Sequence, residues 1–414
     1  MKDKYFDDLE TRSPDVRERA LMHALQDQIA NAKRHAPYFA ELLADLHAHD
    51  VKGRADLAKL PVTRKSQLME LQKSDPPFGG LSALPTSRLA RIFASPGPIY
   101  DPQADQKDYW GFARALYAAG FREGELVHNT FSYHFTPAGF MLDLAAQAIG
   151  CPVFPAGVGQ TELQVAAIAD LRPACYAGTP SFLKIILEKA DELGKDVSSL
   201  KKAAVSGEAF LPSVRQTLSD RGVQGYQSYG TADLGLIAYE TEAREGLVVD
   251  EGVIVEIVRP GTGDPVPAGE VGEVLVTALS PEYPLIRFAT GDLSSVLPGT
   301  SPCGRTNMRI KGWMGRADQT TKVKGLFVHP SQINEIVKRH PEVLRARLTI
   351  THDTDKNDVM TLQVEVDGSQ ADGLAARIAD TVRETCKLRG NVVLKLPATL
   401  PNDGKVIEDL RKYD

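Results

Sequence analysis

Cysteine is scarce: the 414 residues hold four (Cys151, Cys175, Cys303 and Cys386), far apart and without a Cys-x-x-Cys pair. That spacing argues against a disulfide framework or a zinc ribbon, and buried, unreactive thiols are the expectation. Basic charge is not in excess either. Lys and Arg number 48 against 54 Asp and Glu, giving a net charge of -6 and a pI of about 5.9. Nucleic acid or an anionic membrane surface would call for a basic field, so neither is expected as a partner. Long apolar runs are also missing. The N-terminus MKDKYFDDLE has no apolar signal core, and nowhere does the chain approach the ~18 consecutive apolar residues of a membrane helix. A cytoplasmic location is the expectation.

What is present is an ordinary globular composition, 43% hydrophobic and 25% charged, on a chain long enough for two or more domains. Arg12 to Leu46 reads as largely helical. Ser13 is placed as an N-cap before Pro14 at the first helical position, and Leu21, Leu25, Ile29 and Ala32 recur at helical spacing. From Gln106 to Leu211, short apolar runs alternate with helical segments, with Thr161 as an expected cap. That alternation implies an α/β core with parallel strands. Beyond Val248 the pattern turns β-rich, with Gly/Pro turns. From Lys324 onward the order reads β-α-β-β-α-β, a ferredoxin-like arrangement.

Several stretches carry candidate chemistry. Tyr226–Glu240, YQSYGTADLGLIAYE, reads as a strand running into a tight turn. Gly230 would let backbone approach a ligand, Tyr229 offers a ring face, and Asp233 offers a hard oxygen that suits Mg²⁺. An ordinary strand–turn–strand with a surface Asp accounts for the same residues. Arg88–Pro102, RLARIFASPGPIYDP, is a strand entering a Pro/Gly turn. Pro96, Pro98 and Pro102 have no N–H to aim at a phosphate, Gly97 alone gives flexibility, and no Lys is present. Ser95 is the remaining phosphate contact. Phe131, Tyr133, His134 and Phe135 form an aromatic cluster that suits either a core or a cleft for a flat apolar acid.

Two later stretches, YPLIRFATGDL at Tyr283–Leu293 and the Gly315, Arg316, Asp318, Lys324, Gly325, Pro330, Glu335 series, resemble phenylacetate–CoA ligases of the adenylate-forming, AMP-binding superfamily. The Tyr-Gly-x-x-acid turn and the C-terminal Gly404-Lys405 resemble that family too, so the likeness runs from the N-terminal helix to Lys405. Ala232 and Asp233 stand where the family has a hydroxyl residue and Glu, and Asn402 stands for its Arg. Thr241 and Gly246 lie where many relatives carry Cys and His, so no structural metal is expected there.

The resemblance implies a large, multi-subdomain AMP- and substrate-binding N-terminal domain over 1–317 and a small, mobile, ferredoxin-like α+β domain over 318–414. By the same resemblance, Gly207 and Glu208 border the adenine. Tyr229, Gly230 and Thr231 wrap the AMP, and Asp233 holds magnesium. Asp292 accepts both ribose hydroxyls, and Arg316 reaches ribose or phosphate, with Lys324 and Ser95 also on the nucleotide. Phe131, Tyr133, Phe135 and Ala232 line the acid pocket, Asp318 is the hinge, and Lys405 bridges the attacking carboxylate and the α-phosphate. The implied partners are ATP/AMP, Mg²⁺, coenzyme A and an aryl or arylacetic acid, and a homodimer is left open. Two other readings remain open at this stage: an adenylating enzyme with an amine or carrier-thiol acceptor, and a non-catalytic nucleotide-binding relative with a degenerate phosphate loop.

Overall fold

A computed structural model describes residues 4–95, 98–324, 326–354, 357–366, 373–401 and 405–411, without the side chains of Asp318, Lys322 and Ser331. The chain divides into two compact units. The first is Met1–Thr290 with Ser294–Trp313, and the second is Gly291–Leu293 with Met314–Asp414. Among the described residues, no helix is long and apolar enough to cross a membrane, and all four cysteines are free and buried.

The first unit is built on a nine-stranded sheet. Five strands are parallel: Val153–Pro155, Val127–Asn129, Cys175–Gly178, Lys202–Val205 and Gln224–Thr231. Helices Ala138–Ile149, Thr161–Leu171, Pro180–Glu192 and Pro212–Asp220 connect or flank them. The central strands Cys175–Gly178 and Lys202–Val205 are mainly apolar and almost wholly buried, as a sheet covered by helices requires. The sheet then continues antiparallel through Gly235–Tyr239 and Leu247–Val249. A four-stranded sheet packs Val253–Val258 and Gly272–Ala278 beside Phe288–Ser294 and Thr63–Arg64.

Helix Pro14–His35 forms as its sequence dictates. The Ser13 hydroxyl accepts the Val16 N–H, Pro14 is the first helical residue, and Lys33, Arg34 and His35 complement the helix C-terminus. Leu25 and Ile29 are fully buried on its inner face, worth about 1.5–3 kcal/mol each. Buried ions tie the N-terminal segment to the later sheet. Arg305 Nε lies 2.6 Å from Glu10 Oε1, Tyr239 Oη donates to the same oxygen at 2.7 Å, and Arg17 pairs with Glu251 at 2.9 Å.

Three local expectations are corrected. The helix read from Gln106 is only Ala113–Ala118. Asp108 leaves helical geometry at φ 50° and its Oδ2 accepts the Ala113 N–H at 2.9 Å. Thr161 is the first helical residue and not the cap, since Gln160 takes that place in left-handed geometry without a side-chain bond. In the second unit, the sheet runs Asn391–Lys395, Asp358–Val366, Val343–His352, Ile407–Asp409. The strand expected near Lys324 is instead one arm of a hairpin, Thr321–Val323 against Leu326–Val328, turned by Lys324 at φ 47°. Its backbone groups are used in that hairpin, and the short Ile407–Asp409 strand pairs in parallel with Val343–His352.

Candidate active site

In open parallel sheets, ligands sit at the carboxyl ends of the strands. Three candidate segments meet there. Strand Val127–Asn129 leads to Phe131, Lys202–Val205 leads to Gly207 and Glu208, and Gln224–Thr231 carries Tyr229, Gly230 and Thr231. The backbone joins them: the Thr130 N–H bonds Ala177 O at 2.8 Å and the Ser206 N–H bonds Gly178 O at 3.2 Å. Ser206 Oγ donates to Ser228 O at 2.9 Å. Gly207, at φ 84°, lies against the Phe131 ring and Thr179. Glu208 is exposed, and its Oε1 accepts the Ser181 N–H at 2.7 Å, near the start of helix Pro180–Glu192.

The Tyr229–Asp233 segment crosses into a hairpin with Gly235–Tyr239, and its register shifts between Tyr229 and Gly230. Tyr229 Oη donates to Thr290 Oγ1 at 3.3 Å. The Thr231 hydroxyl accepts the Leu234 N–H at 3.2 Å, so it braces the turn that holds Ala232 and Asp233. Gly230 does not have positive φ. It is glycine because a Cβ would lie 2.5 Å from Gly235 O and 2.8 Å from Phe112 Cζ. Packing therefore explains this residue without a ligand.

Asp233 is not a surface acid. Its side chain is fully buried, and Oδ2 accepts from Lys65 Nζ at 2.5 Å. Asp101, also fully buried, is near enough for its carboxyl group to feel that of Asp233. Both oxygens of Asp101, Asp233 Oδ1 and Tyr283 Oη have no hydrogen-bond partner. Ser95, the expected phosphate contact, is buried next to this group and donates to Ile99 O at 3.3 Å. Burial, with the Asp233 carboxylate beside it, holds the Asp101 carboxyl well above the usual carboxylate range. Three orphaned carboxylate oxygens on two acids are a donor set that suits a hard divalent cation. Asp233 thus fits a magnesium role, but with Lys65 already on one of its oxygens. Lys65 and Asp101 were missed at the sequence level. The available signal was Asp101 itself, a carboxylate among inward residues of strand Ile99–Ala104.

The aromatic cluster does not form the expected cleft. Phe131 is buried in the core of the first unit. Tyr133 packs edge-on against Phe140, and its hydroxyl donates to Asp143 and accepts from Asn129, both at 2.7 Å. Phe135, at φ 60°, is 82% exposed. The left-handed turn at Phe135 breaks the alternation that would have brought the rings to one face.

In the second unit, strand residue Asp292 pairs with Arg316, Nη1 to Oδ1 at 3.1 Å, and the two form a β-bridge. Asp292 is mostly buried and Arg316 is 40% exposed. Lys324 is exposed, and its backbone N–H donates to Asp358 Oδ2 at 2.7 Å. Lys405 is half-exposed, with Nζ 3.6 Å from Glu408 Oε1. Gly97, Gly325, Asn402 and Gly404 lie outside the described residues, as does the Asp318 side chain. A cavity of about 660 Å³ in this unit is lined by Lys324, Asp358, Arg383 and Arg389 and holds none of the other candidates.

Comparison with known proteins gives the following. The AMP-binding enzyme family matches residues 111–279, and the AMP-binding enzyme C-terminal domain matches residues 325–410. The phenylacetate–coenzyme A ligase of Thermus thermophilus is 31% identical over 370 residues, covering 84% of this chain and 82% of its own. That of Escherichia coli is 32% identical over 351 residues, covering 80% and 78%. Among solved structures, an open conformation of 2-hydroxyisobutyryl-CoA ligase in complex with 2-HIB-AMP and CoA superposes with a TM-score of 0.85 at 24% identity. It covers 97% of this chain and 93% of its own. At that identity it shows the fold: α/β with a small α+β C-terminal domain.

Proposed function

The chain belongs to the phenylacetate–CoA ligase family of AMP-binding enzymes, and from that premise we propose that it is an ATP-dependent acid–CoA ligase. It joins an aryl or arylacetic acid to coenzyme A through an acyl-adenylate. The observation that carries this reading is the 31% identity to the Thermus thermophilus phenylacetate–coenzyme A ligase, over 84% of this chain and 82% of that one. ATP and CoA as substrates suit a cytoplasmic enzyme.

In the first half-reaction, a carboxylate oxygen of the acid attacks the α-phosphorus and the bond to pyrophosphate breaks. In the second, the CoA sulfur attacks the acyl carbonyl and AMP leaves. The first step gathers negative charge on phosphoryl oxygens, so preplaced cations stabilise it. Arg316 and Lys405 are the proposed protein cations there, and Asp292 accepts the ribose hydroxyls. Gly207 and Glu208 border the adenine, and Tyr229 and Thr231 keep the turn in register. Asp233 would hold a magnesium ion, which would supply further positive charge to the reacting phosphates. Lys65 orients Asp233 through the 2.5 Å pair.

The test is acid-dependent pyrophosphate release from Mg-ATP over a panel of aromatic and aliphatic acids, with and without CoA. Release that depends on one acid and becomes catalytic with CoA is expected. AMP binding with no release for any acid would overturn the ligase. It would favour the second reading, a nucleotide-binding relative, which rests on the Lys-free, Pro-rich stretch after Ser95.

A further inference from the structure

We propose that Asp101 is a second carboxylate ligand of the cation site, so that the metal is held between Asp101 and Asp233 with Lys65 as a built-in competing counter-ion. This deepens the proposed function and rests on it, because it adds a ligand to the magnesium role given to Asp233.

The argument starts from strand Ile99–Ala104. Asp101 has no exposed surface, and both its oxygens are without a hydrogen-bond partner. A buried polar group left unpaired costs about 1–3 kcal/mol, and a buried unpaired charge more. Asp233 Oδ1 is orphaned in the same place. Tyr109 and Tyr283 both feel the Asp101 charge, and Tyr283 also that of Asp233. The nearby groups that face the pair are thus Lys65, Ser95, Tyr109 and Tyr283. Only Lys65 among them is cationic, and it stands on Asp233 Oδ2. Lys65 already holds Asp233 Oδ2, leaving three oxygens for a cation: one from Asp233 and two from Asp101. Hard divalent cations take such oxygens readily. The Lys65 side chain is 28% exposed and that of Asp233 is not at all, so the ammonium stands on the solvent side of the acid pair.

Opposite signs follow for the two neighbours. Asp101→Asn removes a ligand charge without changing shape. Lys65→Met removes the competing cation. The experiment is titration of the nucleotide-free protein with Mn²⁺, read by loss of the free-ion EPR signal, with thermal melting of each variant as a folding control. Wild type is expected to bind Mn²⁺ saturably. Asp101→Asn should bind about tenfold or more weaker, and Lys65→Met tighter. Unchanged Mn²⁺ affinity in folded Asp101→Asn, or no saturable binding to wild type, overturns the proposal. Pyrophosphate release is scored separately. Release with no role for Asp101 leaves the ligase standing alone, and a two-carboxylate site without release does the reverse.

Discussion

Adding one methyl at Gly230 tests whether the hairpin at the strand ends is set by packing or by a ligand. A Cβ there would lie 2.5 Å from Gly235 O and 2.8 Å from Phe112 Cζ, against about 3.5–4.0 Å for ordinary contact. The Phe112 ring can give way. The carbonyl is harder to move, because Thr231 pairs with Gly235 in the ladder and Gly235 itself is pressed on Trp110 O. Overpacking of this kind costs about 1–3 kcal/mol, partly offset by the roughly 0.4–1 kcal/mol that Gly→Ala gains by stiffening the unfolded chain. Gly230→Ala should therefore lose about 1–2 kcal/mol, a few degrees of melting temperature. Phe112→Leu should recover the ring part only, so the double variant should show a favourable coupling of about 0.5–1 kcal/mol. The assay is thermal melting of the four proteins of the cycle, beside the KM for ATP. A Gly230→Ala protein that melts like wild type but binds ATP poorly would refute the packing argument and return this glycine to a ligand role.

Lys405→Ala should slow acyl-adenylate formation by about 100-fold or more while still making thioester from supplied acyl-adenylate and CoA; equal loss of both half-reactions would reject its role. Asp292→Asn should weaken AMP binding by about tenfold or more, and an unchanged AMP affinity would reject the ribose contact. Arg287 is 1% exposed and bonds Glu256 twice at 3.0 Å, as well as the carbonyls of Ala58, Leu60 and Gly263. Arg287→Ala should cost about 3–5 kcal/mol by strand-buried charge on Glu256, and a loss under about 1 kcal/mol in thermal melting would contradict the burial argument. Asp108 gives the pH test. Burial raises its carboxyl to about 7, although the Ala113 N–H pulls the other way. The folded protein holds that proton longer than the unfolded chain, so the stability it contributes is full below about pH 4 and is lost as pH rises to about 7. The change is at most about 4 kcal/mol. Asp108→Asn should then melt above wild type by a margin that widens from pH 4 to 7, and parallel melting curves would reject the shift.

The parallel sheet was legible because each strand is a short apolar run, such as Cys175–Gly178, set between helices with recognisable starts. Asp292 and Arg316 were each legible as candidates inside their own local motifs, but the ion pair between them, 24 residues apart, was not. The Lys65–Asp233 pair spans 168 residues, and nothing in TRKSQL marks its lysine as a partner of the distant turn. Asp101 gave a weaker sign, a charge on the inward side of a strand. Phe131 and Phe135 were read as one cluster, and the left-handed backbone at Phe135, which the sequence does not signal, goes with one ring being buried and the other exposed. Gly230 was given to a ligand because a tight methyl clash with Phe112 is a tertiary fact.

The short acid at 233 and the buried acid at 101 have one physical account when they are taken together. Asp233 is one methylene shorter than the glutamate that usually stands in its place. A longer side chain would carry its carboxylate farther from the hairpin. The shorter one stays buried at the turn, where Lys65 reaches it at 2.5 Å and Asp101 lies beside it. A lone aspartate so placed would be neutralised by Lys65 and would have little charge left for a cation. A second acid adds two oxygens to the one that Lys65 leaves open on Asp233, and it comes from strand Ile99–Ala104. A short acid at 233 and an acid at 101 therefore make chemical sense as a pair. Either one alone would leave a buried charge without a partner or a turn without an available acid.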